Sequence, residues 1–369
     1  MGMIEYKPGD DGYVTAWSPS DLGQTSDKIA LLPVDLTGAG LTSFVQFRRS
    51  GAMIEAVLYS PAQPDEGYKV SFDQAVLSNP KDGRWITGRW KDGRSWIAHC
   101  SGADKPLTID LLCGTEDGNG VRVAWSRNVF ADGQQRGHLL AMDFDGDGED
   151  ELVWIGKNSL SYFAGVVRMT MNGPEVLVTP VMPTFPEELQ MFRAILAGNV
   201  DGSPEQRIIL IWEDASGGHI YTAKIPVSGQ ALTLAYTPVI VEGALIGWRV
   251  IDTNVDGASD LVRVGARERE GLTIIQSFLS VRDGGYSAGP PNAVRVSSAS
   301  VGLLTSRVKR NGRPAVHHLY NNHGMLGWAV FVPEENKNVY KLLSNVGDMK
   351  QGAGAIAFFV ANSLLLTDG

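Results

Sequence analysis

The sequence predicts an all-β chain, a seven-bladed β-propeller of four-stranded antiparallel blades forming a single domain over residues 1–369. Three observations predict it: a hairpin unit that recurs seven times at near-constant spacing, four strand-like segments within each period, and the absence of helical periodicity between them.

The recurring unit is an apolar strand, a turn of Asp, Asn and Gly, and a second apolar strand. Its clearest copies run from His138 to Ile155 and from Trp248 to Val264. Anchored on the first turn position, the copies fall at Asp35, Arg89, Asp143, Ala197, Asp252, Arg307 and Gly347, in steps of 54, 54, 54, 55, 55 and 40 residues. Within one period the predicted strands are Trp85 to Trp90, Trp96 to Cys100, Leu107 to Cys113 and Val121 to Asn128, separated by Gly, Asp and Pro. The one stretch with a helical character is short, around Pro186 to Phe192.

A four-stranded blade that is apolar on both faces is not stable alone, so blades must stack around an axis, and closure hides the last edge. The ring is expected to close in one blade built from both chain ends, three strands from Lys341 to Asp368 and an outer strand from Tyr13 to Ser18. The short step after Arg307 leaves six blades as the alternative.

Two turns carry a denser pattern. Asp252, Asn254, Asp256 and Asp260 stand at positions 1, 3, 5 and 9 of one loop, with the Ala258 carbonyl at position 7. Asp143, Asp145, Asp147 and Glu151 repeat the arrangement, with Glu149 supplying the carbonyl. Calcium takes six to eight oxygen ligands, and this spacing wraps them around one ion while Gly257 permits the tight turn. An EF-hand needs Glu at position 12 between helices, whereas Trp154 and Arg263 stand there between strands.

These loops resemble the FG-GAP or VCBS repeat, the calcium-loop hairpin of integrin alpha-subunit propellers, of a fungal lectin and of toxin-complex B components. The resemblance implies structural calcium held by Asp143, Asp145, Asp147, Glu149 and Glu151 in one loop, and by Asp252, Asn254, Asp256, Ala258 and Asp260 in the other. The remaining loops depart from it: Asp35 to Ser43 keeps one carboxylate, and Arg89 to Ser95 and Arg307 to Ala315 are basic.

At position 12 of the successive repeats stand Gln46, His99, Trp154, Trp212, Arg263, His318 and Phe358, residues that either line a ligand surface or pack between blades. Enzyme signals are weak. Gly285 to Gly289 spells Gly-x-Ser-x-Gly, but Pro290 and Pro291 forbid the helix that a nucleophile elbow requires. His317 and His318 are adjacent on a strand and point to opposite faces, so they do not share an ion with each other or readily with His323.

Composition narrows the function classes. With 41 acidic against 32 basic residues, the net charge of −9 repels a phosphate backbone, so neither nucleic acid nor membrane insertion is expected. No basic-then-apolar leader and no 18-residue apolar run are visible, which predicts a cytoplasmic chain or one exported by a non-classical route. Cys100 and Cys113 are expected on neighbouring strands, as free buried thiols or facing each other. The reading that follows is a non-catalytic, carbohydrate-binding module with glycan partners, its nine Trp and ten Tyr suited to sugar stacking. The alternative is a protein-interaction propeller of a toxin complex or adhesion system.

Overall fold

A computed structural model describes residues 3–349 apart from 8–11, 18–27, 41–42, 62–67, 79–82, 102–106, 130–136, 158–161, 179–191, 227–231, 298–299, 309–312, 323–324 and 335–337. The chain is all-β. Strands β1 (Met3–Lys7) and β2 (Gly12–Trp17) pair with each other. Six larger antiparallel sheets follow in chain order.

The first sheet holds β3 (Lys28–Val34), β4 (Ser43–Ser50), β5 (Met53–Pro61) and β6 (Tyr68–Ser78). The second holds β7 (Gly83–Arg89), β8 (Ser95–Ser101), β9 (Leu107–Gly114) and β10 (Val121–Val129), matching the segments read from the sequence. The third holds β11 (His138–Met142), β12 (Glu151–Lys157), β13 (Tyr162–Thr170) and β14 (Gly173–Val178). The fourth holds β15 (Ala194–Gly198), β16 (Arg207–Asp214), β17 (Gly217–Lys224) and β18 (Thr233–Val239).

In the fifth sheet, β19 (Ala244–Ile251), β20 (Asp260–Arg267) and β21 (Leu272–Ser280) are followed by two short segments, β22 (Tyr286–Ala288) and β23 (Asn292–Val294). Both pair with β21, so the outer place is split at Pro290 and Pro291, which lack the N–H a continuous ladder needs. The sixth sheet holds β24 (Ser300–Val308), β25 (Arg313–Asn322), β26 (Met325–Pro333) and β27 (Tyr340–Met349). A single 3-10 turn, Glu268–Glu270, is the one helical element among the described residues.

The second strand of each sheet explains why the core lies between sheets. Side chains alternate across a strand, so a strand buried on both faces serves two neighbours. Ile97 on β8 joins a cluster with Phe47, Leu58 and Val45 of the first sheet, whereas Trp96, Ala98 and Cys100 join Leu152 and Trp154 of the third. Val153 and Ile155 then turn to Ile208 and Leu210 of the fourth sheet, and Ile209 and Ile211 to Leu261 and Phe278 of the fifth. Val262 and Val264 face Leu303 and Phe331 of the sixth. Each of the Val, Leu, Ile and Phe side chains among them contributes about 1.5–3 kcal/mol by leaving water. The first strands β3, β7, β11, β15, β19 and β24 contact one another in that order, so the sheets fan around a common side, a propeller-like arrangement.

Main-chain bonds tie consecutive sheets. Ser95, Asp150 and Gln206 donate their N–H groups to the carbonyls of Asp35, Arg89 and Asp143 at 2.6, 2.8 and 2.7 Å, and Ser259 donates to Asn199. Three of the same residues also accept through their side chains: Ser95 Oγ from Asp35 N, Asp150 Oδ2 from Arg89 N and Ser259 Oγ from Asn199 N, each at 2.9 Å.

One part of the expected closure is corrected. Gly347 and the segment from Lys341 to Met349 belong to β27, hydrogen-bonded to β26 as the fourth strand of the sixth sheet. The short step after Arg307 marks an anchor placed inside a strand, and the sixth sheet is complete. The predicted outer strand, Tyr13 to Ser18, falls on β2, which pairs with β1 rather than with the sixth sheet among the described residues. The predicted C-terminal strands from Lys350 to Asp368 and the region Pro186 to Met191 lie outside the described residues, as does Phe358.

Candidate cation site

The turn between β11 and β12 curls around the first of its carboxylates. Asp143 Oδ1 accepts the N–H of Gly146 at 2.7 Å and of Asp147 at 3.1 Å, and its Oδ2 accepts that of Gly148 at 2.9 Å. Gly146 and Gly148 adopt φ of 77° and 87°, left-handed values that a side chain would strain. Asp147 Oδ1 in turn accepts the N–H of Glu149 at 2.9 Å.

This folding brings one oxygen each from Asp143, Asp145 and Glu151 within 4.8 Å of one another. Glu151, the first residue of β12, has no solvent exposure. Its Oε1 accepts two bonds from Arg168, but its Oε2 is buried and has no hydrogen-bond partner. Burial, opposed by the Arg168 bonds and reinforced by Asp145 and Asp147, pushes the Glu151 carboxyl up to about 8. Burial also raises Asp143 and Glu149 above the usual carboxylate range.

Arg168, on β13, stands across the strand pair from Glu151, one step beyond the Leu152–Val167 pair. Its Nη2 lies 2.8 Å from Glu151 Oε1, 3.0 Å from Asp145 Oδ2 and 3.3 Å from Asp147 Oδ2. The spacing of the loop did not point to this residue. The available signal was a lone Arg in the apolar run Val166, Val167, Met169.

The loop from Asp252 to Asp260 behaves differently. Asp260 is fully buried, yet both its oxygens are taken by main-chain donors: Oδ2 by Thr253 N and Oδ1 by Ser280 N, each at 2.8 Å. Burial lifts its carboxyl to about 6. Asp252 accepts the N–H of Asp256 and Gly257 at 3.1 and 3.2 Å, and Asn254 Nδ2 donates to Asp256 Oδ2 at 2.9 Å. Ala258 is buried. Among the described residues, Asp252, Asp256 and Asp260 do not converge as the other trio does.

Two further loops lack the converging acids. The Asp35 carboxylate accepts the N–H groups of Thr37, Gly38 and Gly40, much as Asp143 does in its own loop, but no other acid follows it up to Ser43. In the fourth sheet Arg207 pairs with Asp201, and Lys224 Nζ lies 2.6 Å from Glu205 Oε2.

Of the position-12 residues, Gln46, His99, Trp154, Arg263 and His318 are buried. Gln46 accepts from Tyr59 Oη at 3.0 Å. His99 Nδ1 meets Asp110 Oδ2 at 2.9 Å, beside Trp85, which itself stacks on Phe47 at 3.8 Å between ring centroids. Arg263, 1% exposed, is held by both Glu213 oxygens across the fourth and fifth sheets, each at 2.9 Å. His318 is buried with neither ring nitrogen hydrogen-bonded, and burial lowers both His317 and His318 to about 4. Trp212 is half-buried, and His323 lies outside the described residues. Ser287 of the Gly-x-Ser-x-Gly stretch sits in the strand β22. Cys100 pairs in register with Ile109, well away from Cys113, and both are free buried thiols.

No protein-family model matches this chain, and no curated protein does. Solved structures share its architecture. A protein from Lactobacillus plantarum is 9% identical over 87% of this chain and 83% of its own, with a TM-score of 0.52. A candidate 6-phosphogluconolactonase from Bacteroides fragilis is 13% identical over 89% and 84%, with a TM-score of 0.50. A second such candidate, from Bacteroides uniformis, is 14% identical over 87% and 83%, with a TM-score of 0.46. At these identities the likeness concerns the fold.

The expectation of a non-catalytic, carbohydrate-binding module is thereby corrected. The fold is shared with a protein named for an enzyme activity, so it does not mark the chain as a non-enzyme, and no lectin stands among these neighbours. Four of the nine tryptophans that suggested sugar stacking are spent elsewhere: Trp96, Trp125, Trp154 and Trp248 are buried. The indole N–H groups of Trp96 and Trp125 bond Asp150 and Thr170 of the next sheet at 3.1 and 2.7 Å. The alternative, a protein-interaction propeller of a toxin complex or adhesion system, has no support from these comparisons either.

Proposed function

We propose that this protein is a closed β-propeller that binds a divalent cation, calcium, in the turn between β11 and β12. The observation that carries the reading is Glu151: a carboxyl with no solvent exposure, one oxygen of which has no partner, facing oxygens of Asp143 and Asp145. A buried polar oxygen left unpaired costs about 1–3 kcal/mol, more if charged. An all-oxygen donor set suits a hard cation rather than a thiophilic one.

The side chains of Asp143, Asp145, Asp147 and Glu151 and the main chain of Glu149 would hold the ion, which would neutralise the crowded carboxylates and stiffen the hairpin. Strands on both flanks favour a loop of the FG-GAP or VCBS type over an EF-hand. The proposal is confined to this loop, because the oxygens of Asp260 are already committed to main-chain donors. Ring closure is supported by the fan of first strands, since a closed circle covers the free faces of the terminal sheets.

The test is calorimetric titration of the full chain, stripped with chelator, with calcium chloride, alongside thermal unfolding. Saturable binding and a calcium-dependent rise in Tm of a few degrees are expected, both lost in Glu151→Gln. Absence of binding heat together with a Tm indifferent to chelator would overturn the reading.

A further inference from the structure

The proposed ion has a rival already in place. The guanidinium of Arg168 touches three of the carboxylates assigned to the cation, Asp145, Asp147 and Glu151, at 2.8 to 3.3 Å. Calcium draws its oxygens to 2.3–2.6 Å, and two cations in one small space repel each other, so a guanidinium that already holds three of the carboxylates opposes the entry of the ion. Arg168 retains 25% side-chain exposure, which gives the head group a path outward along its flexible stem.

We infer that Arg168 is a built-in competitor of the cation: it gathers the loop carboxylates when no ion is bound and must swing aside for the ion to enter, so it sets the affinity of the site. The inference rests on the cation reading of the same loop.

Other sheets of the chain support it. Gly198 pairs with Arg207 as Met142 does with Glu151, so the fourth loop starts at Asn199 rather than at Ala197 and its ninth residue is Arg207. The residue across the strand pair from the ninth position is Lys224 there and Leu279 in the fifth sheet, one step beyond the Ile208–Ala223 and Leu261–Phe278 pairs. In the fourth sheet Arg207 and Lys224 match Asp201 and Glu205 one for one, leaving nothing for an ion to neutralise. In the fifth, Leu279 brings no charge, and Asp260 is satisfied by N–H groups instead. In the third sheet the guanidinium of Arg168, with Lys91 acting only on Glu149 from a distance, answers the five acidic residues Asp143, Asp145, Asp147, Glu149 and Glu151, and Glu151 Oε2 has no partner. A permanent clamp would balance the charge, as in the fourth sheet, whereas this imbalance leaves a single arginine holding a place that a divalent ion fills better.

Calcium chloride titrated into the full chain and into Arg168→Gln, with thermal unfolding of each in chelator and in saturating calcium, tests the inference. The variant should bind calcium at least tenfold more tightly, melt lower in chelator, and gain more from calcium than the wild type does. An arginine that merely supports the fold would lower both melting points alike and leave the affinity unchanged, and that result overturns the inference while the cation reading stands. Arg168→Lys, which keeps the charge but not the forked contact, should fall between the two and guards against a misfolded Gln variant. Silence in wild type and both variants overturns the site and the competitor together.

Discussion

Asp143–Glu151 and Asp252–Asp260 carry carboxylates at the same first, fifth and ninth positions of equivalent turns, two sheets apart. In the former, oxygens of Asp143, Asp145 and Glu151 converge, with a guanidinium beside them and one oxygen left over. In the latter, the ninth residue is one methylene shorter, and its carboxylate is absorbed by the amides of Thr253 and Ser280. Spacing along the chain brings acids to a turn; the length of the ninth side chain and the residue across the strand pair decide whether their oxygens face one another or the backbone.

The largest effect that would sharpen this contrast is in stability. Asp260→Ala strips the partners from two buried N–H groups and is expected to cost about 3 kcal/mol in urea denaturation, with calcium binding unchanged. Loss of calcium binding in that variant would break the contrast, by making Asp260 a ligand. Glu151→Gln should behave in the opposite way. At a calcium concentration a hundredfold above Kd, ligand-linked stabilisation of about 2.7 kcal/mol should vanish, while in chelator at neutral pH the variant should unfold at no lower urea concentration than wild type, because a neutral amide escapes the burial cost of the carboxylate.

Much of the fold was legible in the sequence for a physical reason. Second strands such as β16 are buried on both faces over Ile208–Ile211, so they read as unbroken apolar runs, and one hairpin per sheet fixes the period. What stayed hidden depends on register between strands far apart in sequence. Nothing near Glu151 announces that Arg168 will sit across from it, nor near Asp260 that Leu279 will. The tryptophans misled because an indole suits a sugar or a neighbouring sheet equally well, and only packing tells which. The split of β22 from β23, by contrast, is written in Pro290 and Pro291.

A smaller effect separates the two loops by pH. Both carboxyls titrate above their ordinary values, Glu151 at about 8 against 4.5 and Asp260 at about 6 against 3.8. The folded chain therefore keeps a proton that the unfolded chain has released, and cation-free stability declines as pH climbs through each window. Subtracting the Glu151→Gln curve from that of wild type should leave a slope between pH 4.5 and 8; subtracting Asp260→Asn should leave one between pH 3.8 and 6. Saturating calcium should erase the first slope and spare the second. Coincident difference curves would show that the two loops titrate as one kind of site.

The smallest effect tests whether the loops differ in how they are anchored. The residue just before the ninth position staples its sheet to the preceding one in both cases, Asp150 to Arg89 and Ser259 to Asn199, and Ser95 does the same for Asp35. Gln206 contributes through its main-chain N–H to Asp143. Ser259→Ala and Ser95→Ala should each lose about 1 kcal/mol in urea denaturation, since one amide loses its hydroxyl acceptor, whereas Gln206→Ala keeps its main-chain bond and should be close to neutral. Equal losses in all three would place the cost in packing rather than in the staple. The expected pattern would leave the ninth residue and its cross-strand partner as the places where the two loops diverge.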